Sequence, residues 1–175
     1  NSGYTTVVMT TIYSAYFVGV IATNTQTISP GMPTLLWSIA IGAANFVVMI
    51  TGPVVGAMAD GRASKKKYLL ISSVGCVIAT ALLAFVGPGE VVLSMLLVTI
   101  SAIMFAQGEN LIAAFLPELV AKEKMGRLSG YGWCVGYFGG LLTLASCLGI
   151  IYWGQQQGWA DTEIIPITLL LTAAI

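Results

Sequence analysis

The chain has 175 residues, of which 57% are hydrophobic and 8% are charged, and its seven basic residues balance seven acidic ones. A soluble domain carries about 25% charged residues, so this composition excludes an ordinary soluble domain, and the balanced charge gives no indication of nucleic-acid binding. There is no histidine, and the three cysteines stand singly in apolar runs, so the sequence indicates neither an enzyme nor a metal or cofactor site.

Long apolar runs predict several membrane spans, because a spanning helix needs about 20 mostly apolar residues. Residues 1–59 carry no charge, and the polar, proline-containing stretch Thr23–Thr34 divides them into two spans. The six predicted spans are Gly3–Ala22, Leu35–Ala59, Tyr68–Val86, Val91–Leu116 (stopped at Pro117), Gly130–Trp153 and a last one from Ile164. The fold class is therefore all-α, a polytopic six-helix bundle. Because the chain opens and stops inside an apparent helix, residues 1–175 are interpreted as part of a longer protein, truncated at both ends.

All seven basic residues lie in two of the predicted loops. The first loop holds Arg62 and Lys65–Lys67, and the second holds Lys122, Lys124 and Arg127. Cytoplasmic loops are the ones enriched in Lys and Arg, and an even number of spans separates these two. The pattern predicts that the amino terminus and both basic loops are cytoplasmic, without indicating which membrane holds the protein.

The first basic loop also contains a spacing that resembles a known signature. In "GAMADGRASKKK", Gly56 and Asp60 match the pattern G-x-x-x-D-R-x-G-R-K/R of the major facilitator superfamily, Arg62 stands one place late, and Lys65 and Lys66 restore the terminal charge. In that superfamily the aspartate clasps the other half of the transporter in the outward-open state. For Asp60, a solvated turn residue is the alternative.

Two further segments, "AAFLPELV" and "GRLSGYGWCVGYFGGLL", resemble the join between spans four and five in the unknown major facilitator family, which is related to vacuolar amino-acid effluxers. The resemblance implies the amino-terminal half of a twelve-helix secondary transporter that moves a small polar solute, with amino acids as candidates, by alternating access. Its implied partners are the lipid bilayer, the solute and the carboxyl-terminal six-helix half. No nucleotide-binding motif occurs, so an ion gradient or facilitation is favoured over ATP. The alternative is a six-span scaffold or channel subunit without carrier activity.

Polar residues inside two spans are the candidates for a substrate or proton path. Glu109 is the only acid within a span, and because charge in lipid is costly it is expected to face the protein interior or a cavity. The resemblance implies that spans one and four line the path. The candidates are Glu109, Gln107 and Asn110 in span four and Thr6, Thr10 and Tyr13, expected on one face of span one. For Glu109, a structural acid paired with a base is the alternative.

Glycines recur at helical spacing in span five. Gly132, Gly136 and Gly140 are four residues apart and share one face, and Gly139 widens that face. Small residues let a neighbouring backbone approach closely, so the pattern predicts a packing seam. A role in helix sliding during transport is the sharper hypothesis.

Overall fold

The protein is described by a computed structural model over residues 2–22, 31–61 and 65–174, with the side chains of residues 2, 6, 60 and 61 excluded. Six helical segments follow in chain order, and no strand occurs in these three ranges. They are α1 (residues 2–21), α2 (Met32–Gly61), α3 (Lys65–Leu83), α4 (Val91–Leu119), α5 (Lys122–Gln156) and α6 (Asp161–Ala174). The predicted all-α class is confirmed.

Four of these helices, α2 to α5, are long and apolar enough to cross a membrane by length and composition. Residues Val7–Ile21 of α1 form a shorter apolar helix, and α6 has 14 residues. The six expected spans are thus represented in the described chain by four helices of spanning length and two shorter ones.

Several helix ends differ from the predicted spans. Helix α4 continues past Pro117 to Leu119, and α5 begins at Lys122, eight residues before the predicted Gly130. Lys, Glu and Arg are good helix formers in water, so a helix can extend beyond the apolar run that marks its membrane segment. Helix α3 ends at Leu83, and in the following turn Gly89 has φ +93, which glycine adopts without steric cost.

Helix α4 lies between α2 and α3, α6 packs against α3 and α5, and the start of α1 packs against α5. The largest share of the buried apolar side chains comes from α1, including Val7, Val8, Phe17 and Ile21, each fully buried. By contrast, α2 and α5 expose large apolar side chains such as Phe46 and Trp133. A soluble protein could not leave such surfaces open to water, so they are suited to lipid or to another apolar surface.

Helix α1 is not wound regularly. Thr5–Thr11 and Phe17–Ile21 are π-helical, and the five residues between them, Ile12–Tyr16, are α-helical. A π-helix closes i→i+5 hydrogen bonds, is rare, and occurs often at functional sites. This winding changes which residues of α1 share a face.

Candidate transport path and first basic loop

One side of α1 is exposed although the rest of the helix lies in the core. Thr10, Thr11, Ala15 and Gly19 form this exposed stripe. Within it the Thr10 hydroxyl donates a hydrogen bond at 3.2 Å to the carbonyl of Thr5, five residues back, whereas a threonine in a regular α-helix bonds a carbonyl three or four residues back. The structure therefore places Thr10 on an open face, whereas the side chain of Thr6 lies outside the described residues.

Tyr13 does not share that face. It is fully buried, and its hydroxyl lies 2.8 Å from Ser94 Oγ on α4. The expectation that Thr10 and Tyr13 lie on one side of span one is wrong, because that expectation assumed regular α-helical spacing and Thr5–Thr11 wind as a π-helix. A path role for Tyr13 stays a prediction, and its observed contacts are those of a core residue.

On α4, Gln107 and Asn110 face α2. The Gln107 amide donates to the Thr51 hydroxyl at 2.8 Å, and Thr51 in turn donates to the Val47 carbonyl. The exposed Asn110 lies against Gly52, where a β-carbon would be 3.6 Å from the Asn110 amide nitrogen. Gln107 is thus committed to joining two helices, and Asn110 stays open at the surface between them.

Glu109 is exposed on α4. It follows Ala102 by seven residues and Phe105 by four, which places all three on one helix face. Ala102 is buried, and the Phe105 ring packs on Tyr4 with centroids 5.1 Å apart. The Glu109 side chain is exposed in the described chain. Its exposure within an apolar helix of spanning length supports a place on the path, and the role itself stays a prediction.

A cleft of about 410 Å³ lies between α2 and α4 near the first basic loop. Its lining includes Gly56 of the signature, both polar residues of α4, Gln107 and Asn110, and Lys65 at the start of α3. Pro53 also lines the cleft, and its missing N–H leaves the carbonyl of residue 49 without its usual helical donor.

Lys65 joins the two segments that carry the family resemblance. Its ammonium donates to Glu118 Oε1 at 2.6 Å and to the Ala114 carbonyl at 3.4 Å, and it lies 6.0 Å from the centre of the Phe115 ring. The lysine side chain is 15% exposed and the glutamate side chain 54%. Sequence reasoning noted the basic loop and the Leu116-Pro117-Glu118 motif separately and missed this ion pair.

The remaining signature residues are only partly described. Helix α2 continues through Asp60 to Gly61, but the Asp60 side chain and residues 62–64, including Arg62, lie outside the described residues. Lys66 is exposed in the first turn of α3. The binding of the other half of the transporter by Asp60 therefore stays a prediction.

The glycine seam of α5 is closed at one end and open at the other. Gly140 is buried, and Gly136 and Gly139 line a cavity of about 280 Å³ together with Gly3 of α1. Gly132 is exposed, and no atom lies within 4 Å of the position that a β-carbon would take there. The tight approach of the two helices is at Gly3, where a β-carbon would lie 2.9 Å from Thr143 Oγ1. Packing on the seam at Gly132 stays a prediction.

Within the three described ranges, no group of three or more His, Cys, Asp or Glu side chains comes together as metal ligands. Cys76 and Cys147 are buried free thiols, and Cys134 is an exposed one. The described site therefore offers the Glu109 carboxylate, the amides of Gln107 and Asn110, and hydroxyl groups between helices. The Lys65–Glu118 ion pair lies beside the first basic loop.

These features define an α-helical, multi-pass membrane protein with polar groups placed on two packed helices. Residues 16–175 match the family described as "Vacuole effluxer Atg22 like", and the chain belongs to that family. It is 28% identical over 169 residues to the "Uncharacterized MFS-type transporter YxiO" of Bacillus subtilis (strain 168). That alignment covers 97% of this chain and 38% of the relative's length. No solved structure matches the chain significantly.

Proposed function

We propose that this chain forms the amino-terminal six-helix half of a major facilitator secondary transporter. The transporter moves a small polar solute, with amino acids as first candidates, by alternating access of two helical bundles around a site near the membrane midplane. The carboxyl-terminal half of the same protein is the partner bundle, and the transporter is not an enzyme. The family match and the coverage of 38% of the relative's length support this proposal.

Exposed polar side chains inside apolar helices carry the proposal. Thr10 and Thr11 are exposed on α1 and Glu109 is exposed on α4, and both helices are otherwise apolar. Polar and ionisable side chains within membrane spans are costly and mark substrate or ion pathways. Polar side chains at these positions would be unfavourable in contact with lipid, whereas the wall of a central cavity accommodates them.

The cytoplasmic end of the bundle supplies the proposed gate. Lys65 and Glu118 fix the start of α3 to the end of α4, and the cleft beside them is lined by Gly56. In the proposed cycle Asp60, at the end of α2, binds the other bundle when the outer side is open, while the ion pair holds the start of α3 on the far side of the loop. Both basic loops face the cytoplasm.

The test is solute counterflow with the full-length protein in proteoliposomes. Vesicles are loaded with an unlabelled mixture of amino acids, and the entry of each labelled amino acid is measured. A carrier shows saturable entry that is accelerated by solute on the opposite side. Entry that is not accelerated in this way indicates a channel, and no entry of any amino acid removes amino acids from the proposal.

A further inference from the structure

Two hydrogen bonds between buried hydroxyls tie α1 to α4. Tyr4 Oη lies 2.7 Å from Ser101 Oγ, and Tyr13 Oη lies 2.8 Å from Ser94 Oγ. The Ser101 hydroxyl already donates to the Val98 carbonyl at 2.9 Å, so the Tyr4 hydroxyl is the donor in the first pair. All four side chains are buried, so both bonds are largely shielded from water.

A regular α-helix could not make both bonds. The two serines are seven residues apart on α4, which is about 700° of rotation, so they lie within about 20° of one face. The two tyrosines are nine residues apart, which is about 900°, so regular winding would put them on opposite sides of α1. The axial distances also differ, at about 13.5 Å for nine α-helical residues and about 10.5 Å for seven.

The π-helical stretch Thr5–Thr11 reduces this mismatch because it lies between the two tyrosines. Each turn of a π-helix holds more residues than an α-helical turn, so the rotation and the rise per residue are both smaller. We infer that the Tyr4–Ser101 and Tyr13–Ser94 pairs together hold Thr5–Thr11 in π-helical winding. These four tyrosine and serine residues thereby position the exposed stripe of α1.

The winding decides which side chain faces the open side. In the structure Val8 is fully buried and Thr10 is exposed. If Thr5–Thr11 rewound as an α-helix with Tyr13 fixed, Thr10 would lie about 60° from Tyr13, towards the core, and Val8 about 140° from it, towards the open side. Loss of one Tyr–Ser bond therefore replaces the Thr10 hydroxyl with the Val8 side chain on the exposed side of α1. The consequence of this change for transport rests on the proposed function, but the change in exposure does not.

The experiment measures thiol labelling in the full-length protein. All cysteines of the full-length protein, including Cys76, Cys134 and Cys147, are first replaced by serine, and a single cysteine is introduced as Val8→Cys or Thr10→Cys. Labelling with N-ethylmaleimide, which crosses membranes, should be faster for Thr10→Cys than for Val8→Cys. Adding Tyr4→Phe should reverse this order. The labelling rate of Thr10→Cys divided by that of Val8→Cys should fall at least tenfold. Ser101→Ala should have the same effect, and combining it with Tyr4→Phe should add nothing further, because both remove one bond.

Tyr16→Phe is the matched control. Tyr16 is a buried tyrosine on the same helix, and no hydrogen bond of its hydroxyl is found in the described part of the chain, so the substitution should leave the ratio unchanged. A variant with Ile12→Cys reports general loosening, since Ile12 is buried in the core. Equal gains at positions 8, 10 and 12 would mean local unfolding and would overturn the inference, as would an unchanged ratio or no labelling at position 10. Absence of counterflow with the expected labelling exchange would remove only the proposed function.

Discussion

The ion pair between Lys65 and Glu118 should contribute measurably to stability, and unequally from its two sides. We predict a coupling of about 1 kcal/mol in a double-mutant cycle of Lys65→Met and Glu118→Gln, at the upper end for exposed pairs because only Glu118 is well solvated. Glu118→Gln should cost more than Lys65→Met. It removes a charged acceptor from a mostly buried ammonium, whereas Lys65→Met leaves a carboxylate that is 54% exposed to water.

The assay is chemical unfolding of the full-length protein in detergent, followed by tryptophan fluorescence, for the parent, both single variants and the double variant. A coupling of about 1 kcal/mol corresponds to roughly a fivefold change in the unfolding equilibrium constant. Raising the ionic strength from 0.1 M to 1 M shortens the screening length from about 10 Å to about 3 Å, so the coupling should fall. Additive costs of the two substitutions, or a larger cost for Lys65→Met, would refute the argument from unequal burial.

Three further predictions concern topology and transport. Cysteines introduced at Lys66 and Lys124, both exposed, should resist an impermeant thiol reagent applied to intact cells, and labelling from outside would reverse the topology. Asp60→Asn should lower the transport rate severalfold at normal membrane expression, and normal transport would make Asp60 a solvated turn residue. Glu109→Gln imitates a protonated acid, so a proton-coupled carrier should lose uphill transport and keep exchange. Unchanged pH-dependent uphill transport in that variant would remove Glu109 from coupling.

Apolar run length located the helices because the cost of placing charge in lipid acts on every residue of a span. Val91 was predicted as the start of α4 and is the observed start. Apolar run length does not predict helix ends that lie outside the lipid, because the cost of charge in lipid no longer acts there. Lys122–Arg127 are helical because the local preferences of the chain allow it, and Pro117 is tolerated in the last turn of α4.

The candidate site was harder to predict because it depends on winding and on contacts far apart in the chain. A helical wheel drawn at about 100° per residue puts Thr10 and Tyr13 on one face, and only a knowledge of the π-helical stretch separates them. Lys65 and Glu118 are 53 residues apart, so no local pattern pairs them. Their shared location at the basic end of the bundle was the one available signal.

Helix α5 acts mechanically as a stiff rod that is longer than the bilayer is thick. Its 35 residues span about 52 Å, and the hydrocarbon core of a membrane measures about 30 Å. Tilting the rod by about 10° around its midpoint would displace each end by roughly 4–5 Å, close to the 5.4 Å pitch of one helical turn. With the apolar part of α5 in the hydrocarbon core, the end that carries Lys122, Lys124 and Arg127 would reach the headgroup layer, where anionic lipids attract basic residues. The attraction of anionic lipids for this basic end would therefore change the tilt of the helix, to an extent that depends on the lipid composition of the membrane.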